Sequence, residues 1–147
     1  MTDTVSGRNP ALTRVRRLAR DRTLRRREGV YLVEGPTLIV DALSAGREVE
    51  QVFVPVGAAS SRVVAESDAS GVLCRLVDDA LFDGLTTTRS AQPAIAVVVR
   101  HDVPVPDLPA DGVVVVLAEL ADPGNAGTLV RSAEAFGASG VVFAGGV

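Results

Sequence analysis

The chain has 147 residues, 47% of them apolar and 3% aromatic, with a formal net charge of −3. That length allows one ordinary domain, or one small domain plus part of another, with a core built from Val, Leu and Ala. A single cysteine, Cys74, excludes an internal disulfide and a Cys-rich zinc site.

The net charge conceals a split. Residues 1–27 carry nine arginines against Asp3 and Asp21, a local balance of +7, whereas residues 28–147 carry six arginines against sixteen acids, a balance of −10. Such asymmetry predicts a polyanion contact near the N-terminus. Every basic residue is Arg, which a GC-rich genome explains more simply than selection for function. Residues 1–10 hold no apolar h-region, and no apolar run approaches the ~18 residues of a membrane span, so a cytoplasmic location is expected.

Residues 10–27 have helical spacing. Ala11, Leu12, Val15, Leu18 and Ala19 form one apolar stripe, arginines fill the other faces, and Gly29 stands where a C-cap belongs. A strand is expected over 30–33, then a Glu34-Gly35-Pro36 turn into a helix over 37–45. That helix should present Leu38, Ile39, Ala42 and Leu43 to a core. Further expectations are strands at 49–54, 72–77 and 94–99, a helix over 58–66, and a short helix over 78–85 with Asp78 at its N-cap. Cys74 reads as a buried strand residue rather than a reactive thiol. This alternation predicts an α/β layer structure for residues 1–101.

Residues 102–112 contain Pro104, Pro106 and Pro109, which favour extended chain and predict a linker. His101, at its border, reads as a solvated residue rather than a base or ligand. Residues 113–117 then form a Val-rich run typical of a strand covered on both faces. Asp122-Pro123-Gly124 marks a turn, with Asn125 as N-cap of a helix whose buried stripe would be Leu129, Val130, Ala133 and Phe136. A strand at 141–144 completes a β-α-β unit. Two strands and one helix cannot bury their faces alone, so residues 113–147 are expected to be part of a larger domain.

The turn after the 113–117 strand lies where α/β folds place their sites. The helix start, with open amides at Gly124, Ala126 and Gly127, favours an anion. Arg131 lies six residues beyond Asn125, roughly 9 Å along the axis. A Rossmann loop is excluded because Gly124 and Gly127 give only G-x-x-G, and a P-loop is excluded because there is no Lys. A KH-type G-x-x-G belongs between helices, whereas this one follows a strand.

The pattern D-P-x-N-x-G-x-x-x-R-x-A-x-A-F-G, carried by Asp122, Pro123, Asn125, Gly127, Arg131, Ala133, Ala135, Phe136 and Gly137, resembles the first motif of the SpoU (TrmH-like) RNA methyltransferases. Residues 22–46 are similar to the N-terminal substrate-binding domain of the same enzymes. The resemblance implies an L30e-like α/β domain followed by the first β-α-β unit of a trefoil-knotted SPOUT domain. It also implies a homodimeric enzyme that moves a methyl group from S-adenosylmethionine to a ribose 2′-hydroxyl, in rRNA more readily than in tRNA. In the family the first motif supplies an Asn and an Arg of the active site, which fall on Asn125 and Arg131. The second and third motifs, which form the knot and hold the methyl donor, have no counterpart here, so the chain is expected to be inactive by itself. Arg25, Arg26 and Arg27 are the expected phosphate contacts. The alternative reading is a non-catalytic RNA- or ribosome-binding module.

A guanidinium is a poor base. Arg131 is therefore expected to anchor the neighbouring phosphate and stabilise charge growing on the 2′-oxygen, with phosphate or water taking the proton. Asn125 is expected to fix the turn and orient Arg131 or the ribose.

Overall fold

The computed structural model describes residues 2–85 and 92–145. The chain divides into two compact units, Met1–Arg100 and His101–Val147.

The first unit is a five-stranded mixed sheet with helices on both faces. Its strands are β1 (Thr2–Val5), β2 (Val30–Glu34), β3 (Val49–Pro55), β4 (Leu73–Val77) and β5 (Ile95–Val99). They lie in the order β1-β4-β3-β5-β2. The β1, β4 and β3 strands run parallel, and β5 is antiparallel to both β3 and β2. The helices are α1 (Pro10–Arg20), α2 (Arg22–Glu28), α3 (Pro36–Ser44), α4 (Arg62–Ala69) and α5 (Asp79–Asp83).

Strand alternation sorts the core into two clusters, because successive side chains point to opposite faces. Phe53, Ile95 and Val97 join Leu12, Val15, Leu18, Leu24 and Phe82 on the face covered by α1, α2 and α5. Val52, Val54, Ala94, Ala96 and Val98 join Ile39, Val40, Leu43 and Val63 on the face covered by α3 and α4. Coverage on both faces explains the uninterrupted apolar run of β5 and the Val52–Val54 run of β3. Cys74 is buried in the second cluster, and burial pushes its thiol pKa up.

The structure changes several expectations for this unit and adds a strand; the helix expected over 58–66 runs Arg62–Ala69. The helix expected over 10–27 is two helices. Asp21 adopts an extended backbone at φ −119°, ψ 99°, and its Oδ1 accepts from Leu24 N at 2.9 Å, which starts α2 as α1 ends. A side chain able to bond its own downstream amide competes with helix continuation. The strand β1 has too little apolar pattern to be read from Thr2–Val5; it exists because β4 offers an edge, and Arg75 Nη1 donates to Asp3 Oδ2 across that pair at 3.1 Å. Finally, α3 turns Val40 inward and leaves Leu38 59% exposed, since the buried line is Ile39, Val40 and Leu43.

The second unit contains β6 (Val114–Ala118), α6 (Pro123–Ala135) and β7 (Gly140–Ala144), with β6 and β7 paired in parallel from Val114↔Gly140 to Ala118↔Ala144. The Pro-rich segment packs within this unit. Leu108 lies over Gly140, where an added Cβ would come within 2.9 Å of it, and Ser139 leaves no room for a side chain at Gly112. The helix meets the sheet through Ala126, Val130 and Ala133, of which Ala126 and Ala133 are buried. The expected stripe is therefore wrong at two places: Leu129 is 41% and Phe136 92% exposed, because two strands are too narrow to cover them.

Among the described residues no helix is long and apolar enough to cross a membrane, and no group of His, Cys, Asp and Glu could hold a metal ion.

Candidate functional site

The site in the second unit is built on the C-terminal end of β6 and the first turns of α6. The helix begins three residues earlier than the sequence suggests. Asp122, not Asn125, is the N-cap: its Oδ1 accepts from Asn125 N at 2.7 Å, and its carbonyl accepts from Ala126 N at 3.0 Å. Pro123 takes the first helical position, where its missing N–H costs nothing. Both Asp and Asn are strong caps, and the Pro placement decides between them. A carboxylate thus already sits at the helix end expected to attract an anion.

The cationic element is Arg131. Its Nη2 donates to Thr128 Oγ1 at 3.2 Å, and that hydroxyl donates onward to the Gly124 carbonyl at 3.0 Å. The guanidinium therefore folds back toward the start of α6 and passes over Gly127, where an added Cβ would meet Arg131 Nη1 at 3.3 Å. Gly127 thus leaves room for Arg131, and Thr128 holds it. Asn125 is exposed in the first turn of the same helix, so the structure puts both expected site residues on one element. Thr128 was not singled out from sequence, although its spacing gave a usable signal: Thr at i−3 from an Arg lies on the same helix face.

At the end of β6, Glu119 has a positive φ of 52°, and its N–H donates to Ala144 O at 3.0 Å. Ala118, Glu119 and Ala121 are exposed along this edge.

In the first unit the three expected phosphate contacts differ in environment. Arg25 is half-buried and turned inward, its Nη1 donating to the carbonyls of Leu18 and Ala19 at the end of α1. Arg26 and Arg27 are exposed in the last turn of α2. Gly29 ends that helix at φ 66°. Arg14 is also committed, to Glu28 at 2.8 Å and Glu50 at 2.5 Å. The Glu50 hydrogen bond leads in raising its already high pKa.

Comparison with known proteins places this architecture. Residues 9–96 match the family model of the MRM3-like substrate binding domain. The chain is 28% identical over 122 residues to the 23S rRNA (guanosine(2553)-2′-O)-methyltransferase RlmP of Bacillus subtilis (strain 168), covering 83% of this chain and 46% of that protein. Its structure is similar to that of an AdoMet-bound rRNA methyltransferase from Sinorhizobium meliloti, with a TM-score of 0.75, 27% identity, and coverage of 97% of this chain and 54% of the other. It is likewise similar to the SpoU methyltransferase AviRb from Streptomyces viridochromogenes in complex with AdoMet, with a TM-score of 0.71, 25% identity, and coverage of 92% and 53%. The chain belongs to the SpoU (TrmH-like) RNA methyltransferase family and carries its MRM3-like substrate-binding domain. It spans about half the length of these relatives.

Proposed function

We propose that this chain supplies the RNA-side half of an S-adenosylmethionine-dependent ribose 2′-O-methyltransferase acting on rRNA. The observation that carries the reading is the Gly124–Thr128–Arg131 hydrogen-bond chain, which holds a guanidinium beside the Asn125 turn. A planar fork at that position can grip a phosphate with two N–H groups and place positive charge near a ribose oxygen that is losing its proton. Arg131 itself stays protonated, so the proton passes to phosphate or water. Asn125 fixes the approach of the ribose. The residues that hold the methyl donor belong, in this reading, to the part of the longer relatives that the chain does not span. The active protein is a cytoplasmic homodimer.

Calorimetric titration of the 147-residue chain with an rRNA fragment and, separately, with S-adenosylmethionine tests the assignment. RNA binding without donor binding is expected. Donor binding would show the donor site to be present here, and absence of RNA binding would remove the RNA-side role. In a catalytically active form, Arg131→Lys keeps the charge and loses the fork, so turnover should fall by about tenfold or more, the effect of weakening one charge-assisted contact. Wild-type turnover in that variant would exclude bidentate anchoring.

A further inference from the structure

Of the arginines in α1 and α2, two are spent inside the fold: Arg14 on Glu28 and Glu50, and Arg25 on the Leu18 and Ala19 carbonyls. Arg16, Arg17 and Arg20 have no carboxylate partner among the described residues, and with Thr13 and Asp21 they line one shallow depression of about 310 Å³. We propose that these three side chains form a phosphate-binding face that engages the RNA backbone. The inference rests on the RNA-side reading above and names its surface in the first unit.

Four arguments support this occupant. Arg16 and Arg20 are one turn apart, about 6 Å along the axis, a spacing comparable to that of neighbouring phosphates. Guanidinium forks match phosphate oxygens in pairs. The one acid in the depression, Asp21, already accepts from Leu24 N with its Oδ1, so the three arginines outweigh it. The negative end of α1, which would repel phosphate, is covered by the inward-turned Arg25. An anionic membrane surface fits less well. A helix that lies on lipid inserts its apolar face, and here Leu12, Val15 and Leu18 are buried in the core.

The test is binding of the 147-residue chain to a labelled rRNA hairpin over a salt series. Each lost phosphate contact lowers the log–log salt slope by about 0.7–0.9. Arg16→Gln, Arg17→Gln and Arg20→Gln combined should therefore reduce it by roughly two to three. Arg26→Gln with Arg27→Gln, the comparison pair, should reduce it less. Gln retains most of the stem, and an unchanged melting temperature confirms that each variant is folded. A triple variant that binds with the wild-type slope overturns the proposal, as does a larger loss in the comparison pair. If the wild-type chain binds no RNA, the RNA-side reading falls with it. Binding to phosphatidylserine vesicles in place of RNA would assign the face to a membrane.

Discussion

At Gly127, helix propensity and side-chain space pull in opposite directions. Ala in a helix interior is more favourable than Gly by about 1 kcal/mol. Yet a Cβ here would approach Arg131 Nη1 to 3.3 Å, and a flexible guanidinium would yield rather than the backbone. Gly127→Ala should therefore raise the stability of the second unit by up to about 1 kcal/mol while displacing Arg131, seen as a shift of its Nε–H resonance. Thr128→Val should release the same guanidinium with little change in stability, and Thr128→Ser should retain it, because only the hydroxyl is required. If the Arg131 resonance is unmoved by both Gly127→Ala and Thr128→Val, the helix does not position it. That Asn125 and Arg131 share one helix was legible from sequence spacing. Thr128 was not, because its part depends on the rotamer of another side chain.

Elements were most legible where the apolar pattern was strong, and least where a single polar side chain set a boundary. The stripe Leu12, Val15 and Leu18 gave α1 directly, and all three are buried. The break at Asp21 and the start of α6 at Asp122 could not be read from periodicity, which continues through the first and is silent about the second. Both aspartates do the same work: Asp21 Oδ1 takes Leu24 N, and Asp122 Oδ1 takes Asn125 N, each three residues on. Losing such a cap costs about 1 kcal/mol. Asp21→Ala and Asp122→Ala should each destabilise by that amount in denaturant titrations that report on their own unit. A change below a few tenths of a kcal/mol would mean that water replaces the carboxylate without loss. The strand β1 shows the limit of local pattern from the other side: four residues become a strand only because β4 is there to pair with them.

At the scale of the molecule, the two units differ in how much they bury. In the first, Cys74 lies on β4 at 0% exposure, in the cluster covered by α3 and α4, so it should resist thiol reagents until that unit opens. Its pKa is raised by burial, and the sign of the linkage follows. Above the ordinary thiol pKa of about 8.5 the unfolded chain loses the proton while the folded chain keeps it, so stability falls as pH rises. Cys74→Ala should remove that part of the alkaline loss, measured as the difference between the two proteins' stability–pH curves; parallel curves would exclude the linkage. The second unit has only Leu117, Ala126 and Ala133 as buried apolar residues among those described, and it leaves Val113, Val116, Phe136 and Phe143 at least half exposed. A two-stranded sheet under one helix is marginal by itself. Native-state hydrogen exchange should therefore separate the units. Amides of β6, α6 and β7 should exchange through small local openings, whereas those of β3 and β5, central in a sheet covered on both faces, should require global unfolding of the first unit. Equal protection in both would mean that the exposed apolar residues of α6 and β7 are covered in solution, and dilution would then distinguish self-association, whose protection falls with concentration, from burial within one chain.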